Sequence, residues 1–520
     1  MPRSWTEKTK TGCITCRYVL IQERHHKTGR SNFTTRARKV KCDQNKPSCN
    51  RCVSTGRVCG GYLAVPVGWY SWDQLLSKTA VPISPKSHIV SEPEARAVEY
   101  YQHVAASELS TWFDGPFWNE LVIQVSISDA AAKDALIAIS TICERQSNRH
   151  GNSLMGEDFA LQHYNRALHK IGARFTVDIN LTLLSCILFI CLESLLGNQQ
   201  AFIAHGDHGI RILNTLPTMN HWTRSHVLPI FIRLDIWHFF MQKRSVPSLT
   251  PEVLDCSKNI QGPFTSFPQA RHELDKIFSR VVRTIRVSID DRQRVDPSSD
   301  EQKKLQELLR SWKHIYDESY FARTEPRYDR DARSVLHIIY LMSSMWIDVM
   351  MDDSEMQYDD HTASFEEIIC LSQAASERRF EGAMTGESCN FDVEVLPLLY
   401  FAVIKCRRLD LRLKGLKIME SSPVVKENQW DSRIFYTAAC HVVEMEHGFE
   451  IQKLEGPPPG SIEPPPREKR VRCVHISQNE TTFEDGYGRN QAGRNVTTAA
   501  SDINGHESHV VYWLPSSDKT

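Results

Sequence analysis

From residue 94 onward, apolar side chains return every three or four positions, the period of a helix with one buried face. The pattern predicts helices at 94–113, 130–145, 159–175, 181–196, 200–213 and 227–242, and again at 274–289, 302–316, 335–351, 364–379, 396–413 and 434–454. Ser128-Asp129 reads as the cap of the second, whose alanines with Leu136, Ile137, Ile139 and Ile142 favour close helix–helix packing. Alternating, strand-like runs are few, and no repeat of fixed period is visible. The fold class expected is mainly α: a large all-α body at 95–455 behind a small N-terminal module.

The pattern fails at both ends of that body. Residues 63–94 hold Pro66, Pro82, Pro85 and Pro93 without sustained periodicity, and read as a linker. The linker has no heptads, so pairing of two chains through a coiled coil there is not expected. After Gly456 come two proline triplets and a polar stretch, with 8 acidic and 7 basic residues from 457 to 520. That tail, 456–520, is expected to be disordered. The most apolar stretch, 181–196, contains Glu193 and reads as a central buried helix rather than a membrane span. The N-terminus has no apolar core of the kind a secretory signal needs.

Charge changes the picture. The net charge of −1 hides a split. Residues 1–62 carry 14 Lys and Arg against 3 Asp and Glu, and the remainder 48 against 60. A basic arm on an acidic body suggests that the arm binds nucleic acid and the body does not.

Within the arm lie six cysteines: Cys13, Cys16, Cys42, Cys49, Cys52 and Cys59. Two are C-x-x-C pairs, each followed by a single cysteine. Such a pair places two thiolates on one side of a tight turn, at bonding distance from one metal. Six thiolates satisfy two tetrahedral zinc ions only if two of them bridge. Disulfides are the competing reading, but a long chain without a secretory signal favours metal. Arg36, Arg38, Lys39, Lys41, Lys46 and Arg51 surround these cysteines. Arg and Lys donate to guanine O6 and N7, and they also neutralise phosphate.

The stretches Thr11-Gly-Cys-Ile-Thr-Cys-Arg17, Ala37-Arg-Lys-Val-Lys-Cys-Asp43 and Pro47-Ser-Cys-Asn-Arg-Cys52, with Gly56-Arg-Val-Cys-Gly-Gly-Tyr62, resemble the fungal binuclear zinc cluster transcription factors. The resemblance implies two zinc ions per cluster, bridged by Cys13 and Cys49. Cys16 and Cys42 then complete one site, and Cys52 and Cys59 the other. It also implies double-stranded DNA as partner and a CGG triplet read in the major groove. By position Arg38 and Lys39 face bases, with Arg36, Lys41 and Arg51 nearer phosphate. Nuclear localisation, contact with the transcription machinery and homodimers in some members come with it. The body resembles the fungal-specific regulatory domain at Phe117-Trp118, Leu136-Ile-Ala-Ile139, Leu161-Gln-His-Tyr-Asn-Arg-Ala167, Cys186-Ile-Leu-Phe-Ile-Cys-Leu-Glu193, His205 and Gly209-Ile-Arg-Ile-Leu213.

No enzyme is expected. Residues 94–455 contain no P-loop, dinucleotide glycine fingerprint, G-x-S-x-G or H-E-x-x-H. A zinc module that binds protein instead of DNA is the alternative, and the basic charge argues against it. Within the body Glu193 is expected to pair, with Arg211 as candidate partner. His205 and His208 share a helical face, and without a third ligand in register they are expected to pack or cap rather than bind metal. The acidic run 352–360 reads as a solvated loop.

One departure stands out. The family places six residues between its second and third cysteines; here 25 separate Cys16 from Cys42. Removing residues 18–36 restores the family spacing. The segment is read as a retained intron, and the chain as written as the product of an unspliced message. A natural loop, with His25 or His26 as a further ligand, is the alternative.

Overall fold

The computed structural model describes Tyr18–Arg24, Ser31–Ala37, Asp43, residues 50–55 and most of 91–515. Residues 1–17, 25–30, 38–42, 44–49 and 56–90 lie outside the described residues, as do shorter stretches of the body and 516–520. The chain divides into two units, Met1–Thr79 and Ala80–Thr520. The division falls within the stretch read as linker.

In the first unit, strands β1 (Tyr18–Arg24) and β2 (Ser31–Ala37) form an antiparallel hairpin, with Tyr18 opposite Ala37 and Arg24 opposite Ser31. A short helix, α1, follows at Asn50–Val53.

The second unit is mainly helical, as the periodicity predicts. It opens with α2 (Glu92–Tyr100), which runs on through a π-turn at Tyr101–Ala105 to Leu109. The helix starts inside the stretch read as linker. Ser91 Oγ accepts from the Glu94 N–H, and Pro93 sits in the first turn, where a missing N–H costs nothing. Next come α3 (Val122–Ser128), α4 (Ala130–Ser147), α5 (Glu157–Gly172), α6 (Ile179–Leu196) and α7 (Gln199–Thr215). Asp129, not Ser128, caps α4, its carboxylate accepting from Ala131 and Ala132 at 3.0 and 2.8 Å.

Helix α6 is the centre of this half. Asp178 caps its start, and Gly197 ends it with φ of 74°, a left-handed turn that glycine takes without strain. Its residues from Leu183 to Ser194 are buried among neighbouring helices. By length and composition α6 could cross a membrane, with 18 residues and mean hydropathy 2.1, but 78% of it is buried inside the body. The core stays tight because small residues let helices approach. A Cβ on Gly209 of α7 would overlap the Phe231 ring on α8 (Leu228–Phe240). Gly209→Ala is expected to cost about 1–3 kcal/mol by overpacking, measured as a lower urea midpoint at unchanged slope.

The remaining helices are α9 (Phe267–Asp290), α10 (Ser299–Glu318), α11 (Arg330–Val349), α12 (Thr362–Gly382), α13 (Leu396–Lys405), α14 (Leu409–Glu420) and α15 (Ser432–His447). Trp312 of α10 donates its indole N–H to the Ala270 carbonyl at 2.9 Å, and Trp346 of α11 packs its ring tilted against Phe278 and edge-on to Phe401. The helix expected at 396–413 is broken at Cys406. Arg412 turns back to donate to the Ile404 carbonyl at 3.0 Å and to that of Cys406, which satisfies the acceptors left open at the end of α13.

The tail expectation is corrected. After a minor pair, β3 (Lys426–Glu427) and β4 (Trp430–Asp431), the chain ends in an antiparallel sheet of β5 (Val471–Glu484), β6 (Asn490–Ser501) and β7 (Glu507–Pro515). Two register shifts in β5 blur the two-residue alternation that would have revealed a strand. Buried Val471 and Val496, with the Arg470–Asp359 ion pair to the body, hold what composition alone assigned to disorder.

His447, at the end of α15, is pushed down to about 4 by burial and by neighbouring Arg412. An unfolded histidine binds its proton near pH 6.5. Between pH 6.5 and about 4 the unfolded chain therefore holds more protons, so stability present above pH 6.5 falls on acidification. Thermal melts at pH 7 and 5 should show it, with His447→Gln flattening the dependence.

Candidate metal centre and nucleic-acid interface

Of the six candidate metal ligands, Cys52 lies in the described part of the structure. It sits in α1 with 0% exposure, while its neighbour Val53 is 62% exposed. The helix therefore turns Cys52 inward and Val53 out. Cys13, Cys16, Cys42, Cys49 and Cys59 lie outside the described residues.

Two contacts hold Cys52 in place. The Asp43 carboxylate, one residue past Cys42, accepts from the Asn50 N–H at 2.9 Å, which ties the third cysteine's neighbour to the helix bearing the fifth. At the other end Thr55 folds back, its hydroxyl and N–H both donating to the Cys52 carbonyl. A thiol buried in a short polar helix fits a metal ligand better than a core apolar group. Asp43 was not singled out from the sequence. An aspartate seven residues before a helix start carries no short-range capping signature.

Of the proposed DNA contacts, Arg36 lies in β2 opposite Val19, and Arg51 in α1 beside Cys52. Arg38, Lys39 and Lys41 lie outside the described residues. Since Tyr18 pairs with Ala37, the hairpin closes the inserted segment on itself and returns the chain to the start of the basic run.

In the body, Glu193 takes a partner other than Arg211. The Tyr164 hydroxyl donates to it from α5, and Arg211 is exposed. Burial and this carboxylate both push the Tyr164 phenol up. His205 packs against Phe189 with ring centres 5.3 Å apart, while His208 is exposed. Among the described residues no group of three His, Cys, Asp or Glu side chains could hold a metal ion. The acidic run 352–360 is only partly a solvated loop. Asp352 turns its carboxylate onto backbone N–H groups of Ser354 and Gln357, and Glu355 and Asp359 meet buried cations.

Residues 36–64 match the model of the fungal Zn(2)-Cys(6) binuclear cluster domain. The match starts at the last residue of the inserted segment and takes in Cys42, Cys49, Cys52 and Cys59. Over 244 residues the chain is 28% identical to the aspercryptin biosynthesis cluster-specific transcription regulator atnN of Emericella nidulans, covering 41% of this chain and 36% of that one. It is 24% identical over 222 residues to the transcription regulator lscL of Purpureocillium lilacinum, covering 37% and 52%. A 61-residue stretch is 36% identical to the transcriptional regulatory protein moc3 of Schizosaccharomyces pombe, covering 12% and 8%. The matches thus span about half or less of these relatives' lengths. No solved structure matches the chain. The chain carries a fungal binuclear zinc cluster domain and is similar to fungal transcription regulators.

Proposed function

We propose that the chain is a nuclear, sequence-specific regulator of RNA polymerase II transcription that reads a CGG-type site through its zinc cluster. The observation that carries this is the cluster signature in a strongly basic arm, with Cys52 buried. Cys13, Cys16, Cys42, Cys49, Cys52 and Cys59 would hold two zinc ions, with Cys13 and Cys49 bridging. The metal supplies the folding energy that a module this small lacks. Arg38 and Lys39 would donate to guanine edges, and Arg36, Lys41 and Arg51 to phosphates. The helical body would be the regulatory domain that meets the transcription machinery. Similarity to a cluster-specific regulator supports a role beside one biosynthetic gene cluster.

Base and phosphate contacts separate by experiment. Lys39→Ala is expected to cost about 1–3 kcal/mol and to relax preference at one guanine position. Arg51→Ala should weaken all sequences alike and lower the salt slope by about one. Identical effects of both across a panel of duplexes would contradict the division. A protein-binding adaptor, the second reading, predicts little salt-dependent DNA affinity.

A further inference from the structure

The C-terminal sheet meets the helical body through a buried ionic network that the transcription reading does not use. Arg470, 2% exposed, donates to both oxygens of Asp359 at 2.9 and 2.6 Å and to the backbone carbonyls of Glu355 and Pro465. The next residue continues the contact. The Val471 N–H donates to the Glu446 carboxylate at 2.6 Å, and its carbonyl accepts from Arg407. The Arg472 carbonyl accepts from Lys405 at 2.8 Å.

Glu355 joins the two sides. Its carboxylate accepts from Lys405 at 2.7 Å and from Arg407 at 3.1 Å, while its carbonyl holds Arg470. It does so with φ of 60°, the one described residue other than glycine in the left-handed region. For glutamate that conformation is strained, and letting go of Arg470 and Lys405 would relieve it.

The docked segment buries little. Pro465, Arg470 and Val471 are buried, whereas Pro464 and residues 466–469 are exposed. A segment held by directed polar contacts over a small apolar footprint opens at lower cost than a packed helix. The body beneath would remain paired, since Glu446 keeps Arg412 at 2.5 Å and Arg407 when Val471 leaves.

We propose that residues 464–472 form a detachable strap, latched by Arg470 onto Asp359 and Glu355, whose release loosens sheet β5–β7, leaving it held through Thr498 on Met445 of α15, and switches the output of the helical body. The device has two discrete states. Docked, the strap neutralises Asp359 and caps the Lys405–Arg407 pair. Open, it leaves those two cations facing solvent with Glu355 and Glu446 as their counter-charges.

Hydrogen exchange of the full chain tests the strap directly. In Arg470→Ala, amides of β5 and β6 should exchange about tenfold faster or more, with those of α6 unchanged. Asp359→Asn, which keeps a hydrogen-bonding oxygen, covers the case in which Arg470→Ala fails to fold and should give a smaller shift of the same kind. Exchange rising together in β5 and α6 would show that the sheet opens only with the whole body and would overturn the strap, as would no change in either variant. The switch itself rests on the transcription-regulator reading and is read from a reporter gene. Output should change several-fold in Arg470→Ala while the purified variant binds DNA as tightly as wild type. A freed strap with unchanged output overturns the switch; absence of DNA binding in wild type overturns the function reading instead.

Discussion

The chain with Cys13 replaced by alanine should retain neither zinc ion. Cys13 is proposed to bridge, so its loss removes one of four ligands from both sites at once, and Cys49→Ala should behave alike. Cys59→Ala removes a ligand from one site and should leave a protein that holds close to one zinc. Structural zinc contributes about 10–16 kcal/mol of apparent binding energy in modules of this size, far more than so small a core could replace. Specific DNA binding should therefore vanish in Cys13→Ala, by at least three orders of magnitude, a loss expected when specific contact falls to non-specific levels. Metal analysis of the purified variants checks it. Two zinc ions per chain in Cys13→Ala would remove the bridging assignment.

Deleting residues 18–36 should strengthen DNA binding, by roughly tenfold. We propose that this segment is a retained intron. The hairpin shows why its loss is geometrically cheap: Tyr18 lies opposite Ala37, and paired residues across an antiparallel ladder are about 5 Å apart. Joining Arg17 to Ala37 takes one peptide link of about 3.8 Å. The deleted form has Cys16-Arg-Ala-Arg-Lys-Val-Lys-Cys, with Arg17 in the place of Arg36 before the basic run. Loop length alone does not forbid the insert, since closing the longer loop costs about 1 kcal/mol. The genetic code allows splice signals at both ends. Arg17-Tyr18-Val19 can be encoded as AGGTATGT, with a donor beginning inside the arginine codon. Ser31-Asn32 can contain the branch sequence CTAAC, and Arg36 can supply the acceptor AG and restore an arginine codon. Nineteen codons make 57 nucleotides, an ordinary intron length for a fungus. Sequencing cDNA across codons 13 to 42 should find most messages without the segment. Uniformly unspliced message, or tighter binding by the long form, would reject the idea.

The helical body was legible because burial on one face imposes a period on the sequence. That signal is blind to ends and to long-range charge. Pro93 reads as linker composition until Ser91 is seen to cap the helix behind it. Cys406-Arg-Arg408 breaks a helix because buried Arg412 turns onto open carbonyls, which no local pattern announces. The sheet was missed for the same reason. Its anchor, Arg470, finds Asp359 at a sequence separation of 111, and β5 mixes polar and apolar residues across two register shifts. Glu193 is recognised from sequence as needing a partner, but charge alone points to Arg211, whereas packing brings the Tyr164 hydroxyl to it instead. The cysteine module was the most legible part. Ligand chemistry fixes residue type and spacing together, whereas a core accepts many apolar substitutes.

Affinity of the zinc-loaded chain for a duplex containing CGG, against one with the triplet scrambled, tests the central claim most directly. Fluorescence anisotropy at fixed salt should give a preference of about a thousandfold. It should be abolished by a chelator, restored by zinc, and steeply weakened as salt rises. Equal affinity for the two duplexes, or a preference that survives removal of zinc, would contradict the account.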